Sequence, residues 1–255
     1  MCLILLVWRV HPEFPCVLAA NRDEFHGRAT AGADWWPDRP TLLAGRDLQA
    51  GGTWLGVTRS GRFAALTNYR DPSLVRDAVP SRGNLVTQFL DSGQSVADCL
   101  TYLRRVGAAY NPFNIIFSDG DRLGIFESVR GEGRELGAGV YGLSNHLLDT
   151  PWPKVRIAKS RLTEALSCLH DETAVMNLLR DDQPAPDEEL PQTGITLEWE
   201  RLVSSAFVRA GDYGTRCSTL LRIDKAGSAA FDEWSWDRDG KESGRKSFQF
   251  QLTVR

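Results

Sequence analysis

Residues 2–10 form an almost unbroken apolar run, the pattern of a strand buried on both faces. Pro12, Glu13 and Pro15 separate it from a second apolar strand at about 16–21. The stretch 27–52 is rich in Gly, Pro, Asp and Arg around Trp35 and Trp36, and is expected to be a long, partly ordered loop. Alternation then predicts a hairpin: Thr53–Thr58, a turn at Ser60 and Gly61, and Arg62–Tyr69. Ser81 is placed to cap a helix over about 82–91, and Ser95 another over about 96–106. Asn114–Phe117 and Gly124–Glu127 read as paired strands about Asp119 and Gly120, and Val140–Ser144 as a short strand ending at Asn145. A helical period follows in Val155, Ala158, Leu162, Ala165 and Leu166, within 153–168. Asp171 can cap a helix running to about Leu179. Residues 181–194 are a polar, Pro-containing loop, and the end is strand-rich: Cys217–Ile223, Ala229–Trp236 and Phe248–Val254.

Antiparallel strands with helices inserted in blocks predict an α+β layered fold rather than a doubly wound one. No internal repeat or low-complexity linker divides the chain, so residues 1–255 are read as one domain. No GxGxxG or GxxxxGK[ST] follows a strand, which argues against a nucleotide-binding α/β fold.

Composition narrows the function classes. A net charge of -3, with acidic and basic residues interleaved, offers no basic field for nucleic acid. No segment has the roughly 20 apolar residues of a membrane span, and the N-terminus has neither the charge order nor the small-residue site of a secretory signal. The five cysteines are odd in number and irregular in spacing, without a CxxC pair, which suits the cytoplasm. The four histidines make no HExxH, so no metal is expected.

Cys2 is the first chemical candidate. Its small side chain permits removal of Met1, leaving a thiol and a free α-amine on one residue. With a pKa of about 8, that amine can act as base for its own sulfur; the bland alternative is a small hydrophobe opening a strand. Asn21, Arg22, Asp23 and Glu24 end the second strand, where a guanidinium between carboxylates can orient the amine and hold a thiolate, or simply make local ion pairs at a solvated turn. Asn68 and Asn145 sit at strand ends, where side-chain amides either donate to an oxyanion or satisfy turns. Arg216 opens an apolar strand, as a structural ion pair or a second charge for the nucleophile. Trp54 and Tyr69 flank the hairpin and are expected, with Asn21 and Glu24, on the ligand.

Taken together, Cys2, NRDE at 21–24, GGTWLG at 51–56, LTNYR at 66–70, NPFN at 111–114, GLSN at 142–145 and YGTRCSTLL at 213–221 resemble the NRDE family, also called the Transport and Golgi organisation protein 2 family. That family is similar to the cysteine N-terminal-nucleophile (Ntn) hydrolases, among them bile-salt hydrolases and penicillin V acylases. The resemblance implies a four-layer αββα fold with two stacked antiparallel sheets. It also implies Cys2 as nucleophile, Arg22 and Asp23 tuning it, Asn68 and Asn145 serving oxyanion and amine, and Arg216 stabilising the thiolate. The amidases carry Arg-Asn-x-Asp where this chain has Asn21–Glu24, so the roles at that corner stay open. The expected activity is an amidohydrolase or acyltransferase acting on an amide or thioester, without a cofactor. The alternative is a non-catalytic carrier of haem or an acyl-coenzyme A-like ligand on the same scaffold. Either way the expected partner is a small acyl, amide or thioester compound, and assembly into a homo-oligomer stays open.

Overall fold

A computed structural model describes residues 2–253. Two antiparallel sheets stack face to face. The first runs β10 (Gly139–Leu143), β1 (Cys2–Trp8), β2 (Cys16–Phe25), β12 (Tyr213–Ile223), β13 (Ser228–Trp236), β14 (Glu242–Gln251), with the short β11 (Arg209–Ala210) beside β12. The second runs in chain order: β3 (Thr30–Trp36), β4 (Arg39–Asp47), β5 (Leu55–Thr58), β6 (Phe63–Asn68), β7 (Phe113–Ser118), β8 (Leu123–Glu127), β9 (Glu132–Leu136). Helices α3 (Pro153–Glu164) and α4 (Glu172–Leu179) cover the first sheet, and α1 (Gly83–Asp91) and α2 (Val96–Val106) the second. A short α5 spans Leu197–Leu202. The order of layers is αββα, as expected.

The two-residue period of each strand decides which layer a side chain serves. On β1, Ile4, Leu6 and Trp8 enter the core between the sheets, with Leu18, Val57, Phe63, Ile116 and Phe231. Leu3, Leu5 and Val7 face the other way, against Val155, Leu162 and Leu179 of the helices. Because both faces are covered, β1 shows no polar alternation. Burying a Leu or Phe completely contributes roughly 1.5–3 kcal/mol, so three such layers hold the scaffold firmly around its ends.

The structure differs from the expectation in several places. Residues 30–47, read as part of a loop, form β3 and β4. Bulges after Ala31 and Trp35 break the alternation that would have marked them. Their charges pair locally: Arg46 binds Asp38 at 2.8 Å, and Arg28 binds Asp47 at 2.7 Å. Arg82 rather than Ser81 precedes α1, with no side-chain cap. Ser95 and Asp98 do form a reciprocal capping box on α2. The second strand continues to Phe25, and β14 begins already at Glu242; it is a mostly exposed edge strand, without an alternating apolar face to announce it. β9, β11 and α5 were not anticipated. Val254, expected to end the last strand, lies outside the described residues.

Candidate active site

Cys2 begins β1 directly opposite Arg22 of β2. Side chains opposite one another share a face, so Cys2, Arg22 and Glu24 look between the sheets, while Asn21 and Asp23 look toward the helices. Parity thus separates four consecutive polar residues into two pairs with different duties. On the intersheet side a pocket opens at the end of the sandwich. Cys2, Arg22, Asp23 and Glu24 line it from the first sheet, and Trp54, Leu66 and Asn68 from the second. Arg28, Asp47, Arg82 and Gly83 also line it.

Two close approaches shape its wall. Gly45 leaves room for Trp54, whose ring would collide with a Cβ at that position. A Cβ on Gly83 would stand 2.9 Å from the Thr53 carbonyl oxygen, so the start of α1 presses against the GGTWLG loop. Trp54 in turn lies under the Arg22 guanidinium, 4.2 Å from ring centroid to Cζ.

Burial pushes the Cys2 thiol above its ordinary value, and the Asp23 carboxylate pushes the same way. A hydrogen bond from the Asp23 backbone amide and the charge of Arg22 oppose this by favouring the thiolate. Asp23 is itself raised by burial, with Lys154, Arg70 and a hydrogen bond from Thr215 Oγ1 at 2.7 Å working against the shift. Asn68 lines the pocket, and its side-chain amide makes no hydrogen bond to the described residues.

Four expected site residues do not line this pocket. Asn21 Nδ2 instead donates to the carbonyls of Leu179 at 2.7 Å and Ala206 at 2.8 Å, and its Oδ1 accepts from Ser218 Oγ at 2.6 Å; it ties the sheet to the helical layer. Tyr69 packs on His146, ring centroids 4.9 Å apart. Asn145 acts one step back: its Nδ2 donates to the Asn68 carbonyl at 2.9 Å, while neighbouring Ser144 donates to the Cys2 carbonyl at 2.9 Å. Asn114 completes this link by donating to the His146 carbonyl at 2.8 Å. Arg216 sits at a β-bulge, where Thr215 opposes Asp23 and Cys217 opposes Arg22, leaving Arg216 out of register. Its Nη1 donates to the carbonyls of Phe25 at 2.8 Å and Arg28 at 3.2 Å, so it braces the corner rather than facing the sulfur.

Behind Cys2 lies a buried charge cluster that sequence reasoning missed. Arg70 and Glu200 form an ion pair at 2.5 Å with side chains only 5% and 3% exposed. Lys154 donates to the Val203 carbonyl at 3.0 Å, and Tyr213 Oη donates to the Asp23 carbonyl at 3.0 Å. A Lys in the first turn of a helix reads as solvated surface; the signal that α3 buries it is absent from its own neighbours.

Burial pulls the Lys154 ammonium down to about 8, with Asp23 opposing. In the unfolded chain a lysine titrates near about 10.4. Between those values the unfolded chain holds the extra proton, so rising pH favours the folded form there. The penalty at Lys154 is full below about pH 8 and relieved by about pH 10.4. Wild-type stability relative to Lys154→Met should therefore rise by up to roughly 3 kcal/mol between those limits, read from urea midpoints at each pH. A difference that stays flat with pH would contradict this burial.

The sequence of the chain matches the family model described as Transport and Golgi organisation 2 over residues 1–238. The chain belongs to this family. Its relatives include the Transport and Golgi organization protein 2 homolog of Bos taurus, 39% identical, with 92% of this chain and 93% of that protein covered. The Homo sapiens homolog is 35% identical, covering 99% of each, and the Drosophila melanogaster protein is 30% identical over 91% of each. Among solved structures, two variants of the conjugated bile acid hydrolase of Clostridium perfringens superpose with TM-scores of 0.51 and 0.50, each 10% identical. They cover all of this chain and 99% and 98% of theirs. At that identity the family member shares the Ntn-hydrolase fold with them. Among the described residues no helix is long and apolar enough to cross a membrane, and no group of three metal-binding side chains occurs.

Proposed function

We propose that this protein is an N-terminal-cysteine amidohydrolase or acyltransferase that works through an acyl-Cys2 intermediate. The observation that carries the reading is the placement of the Cys2 thiol in a pocket where Arg22 stands directly opposite it and the Asn68 amide has no hydrogen-bond partner among the described residues. Removal of Met1 exposes the α-amine of Cys2. That amine takes the thiol proton, and the sulfur attacks the acyl carbon of an amide or thioester. Asn68 donates to the oxyanion as it forms. The carbon–nitrogen or carbon–sulfur bond then breaks, and the leaving group takes the proton from the ammonium. Water, or an acceptor amine, loses a proton to the same α-amine and attacks the thioester. The acid or new amide leaves, and the sulfur recovers its proton.

A carrier of a large apolar ring system is the weaker reading, because five charged side chains besides Asp23 line the pocket against two large apolar ones, Trp54 and Leu66. The test is intact mass and N-terminal sequencing of protein from its own host, followed by a chromogenic amide and thioester panel with quenching during turnover. The expected result is a chain beginning at Cys2 that accumulates one acyl group on that residue. Complete retention of Met1 alongside turnover would rule out the α-amine as base.

A further inference from the structure

Three arginines line the Cys2 pocket, and their partners differ. Arg28 is bound to Asp47 at 2.7 Å and approaches Glu24 at 3.8 Å. Arg22 approaches Glu24 at 3.9 Å and covers Trp54. Arg82 has no carboxylate within 4 Å among the described residues; its one hydrogen bond runs from Nη1 to the Pro112 carbonyl, at 2.9 Å. Among the described residues the edge formed by Nε and Nη2 meets no acceptor. That edge is a two-donor fork of the shape that takes a carboxylate or phosphate. Burial lowers the affinity of this guanidinium for its proton, and the charges of Cys2 and Glu24 oppose this. Arg82 is half-buried, and a guanidinium edge partly withdrawn from water with no carboxylate beside it gains from a bound anion. Arg82 also stands immediately before α1, whose first residue, Gly83, shares the pocket wall, so the positive end of the helix adds to the same field.

We propose that the compound acted on at Cys2 is anionic, and that Arg82 binds its oxyanion group, a carboxylate or a phosphate, at the mouth of the pocket. This rests on the acyl-Cys2 reading for the identity of the ligand as substrate, though anion binding itself does not need it. The pocket then selects an acyl compound whose charged group lies beside the scissile bond. A neutral lipid amide would leave Arg82 unpaired and is disfavoured.

Two measurements test it on the full-length protein. The first is melting temperature in sodium acetate or inorganic phosphate against chloride at equal ionic strength. One or both anions should raise it in wild type by a few degrees, with no rise in Arg82→Met, and the anion that acts identifies the oxyanion. The second is Cys2 alkylation by iodoacetate and by iodoacetamide, in which the thiolate displaces iodide. Taking the ratio of the two rates divides out any change in thiolate fraction. The wild-type ratio should exceed that of free cysteine by about 10-fold, fall to the free value in Arg82→Met, and be partly kept in Arg82→Lys. Absence of any anion-specific rise in melting temperature, with a ratio equal to that of free cysteine, overturns the proposal while leaving the nucleophile intact. If instead neither reagent labels Cys2 but the anion still stabilises wild type alone, the anion site stands and the covalent reaction falls.

Discussion

On the proposed acyl-Cys2 route, Cys2→Ala should lose turnover of an amide or thioester substrate by about 10³-fold or more, because the sulfur that carries the acyl chain is gone. The side chain is half-buried at the start of a strand, so its truncation should leave the melting temperature nearly unchanged. Cys2→Ser is the sharper variant: it keeps the geometry but replaces a thiol by an alcohol that the α-amine deprotonates far less readily. It should be slowed by a comparable factor, and any acyl group trapped on it should be an ester rather than a hydroxylamine-labile thioester. Substrate turnover that survives both changes would show that the sulfur is not the nucleophile.

Breaking the Arg70–Glu200 pair should have the largest effect on stability. Both side chains are enclosed, and Glu200 Oε1 also accepts from the backbone amide of Thr193 at 3.1 Å and from its hydroxyl. Arg70→Met leaves a buried carboxylate without its cation, which costs about 3–5 kcal/mol. The urea midpoint should fall accordingly. Arg70→Met with Glu200→Met should recover part of the loss, since two apolar groups of similar size avoid the stranded charge. A single variant as stable as wild type would mean that the pair is not desolvated in solution. Arg70 follows LTNY at the end of β6 and its backbone amide donates to the Asn145 carbonyl at 2.7 Å, so the same loss should loosen the site.

Much of the fold was legible because the strands obey period two and the helices carry capping residues. The long buried runs at 217–223 and at 2–10, which stops at Trp8 and leaves Arg9 and Val10 exposed, the hairpin around Gly61 and the capping box at Ser95 could all be read locally. β3 and β4 could not, since bulges scramble their pattern and cross-strand ion pairs imitate a charged loop. The candidate site was legible in part. Cys2, Arg22, Asp23, Glu24, Trp54 and Asn68 do line one pocket. Asn145 lies behind it, and Asn21 serves the helical layer because alternate residues of a strand serve opposite faces. Lys154, Glu200 and Arg82 reach the site from segments whose own sequence looks like ordinary surface; only the stacking of layers brings them inward.

The bulge at Arg216 has an effect reaching beyond that one side chain. In an unbroken strand Thr215 and Cys217 would point the same way; here Thr215 hydrogen-bonds Asp23 on the helical side, while Cys217 and Thr219 turn toward Glu233 between the sheets. One extra residue changes the phase of β12 halfway along, and a single ribbon furnishes two separate compartments. Removing that residue alone would leave Thr215 and Cys217 as neighbours opposite Asp23 and Arg22, each still in its present room, whereas forcing Arg216 into the ladder would send one half of the ribbon to the wrong side; the position should therefore tolerate deletion better than straightening.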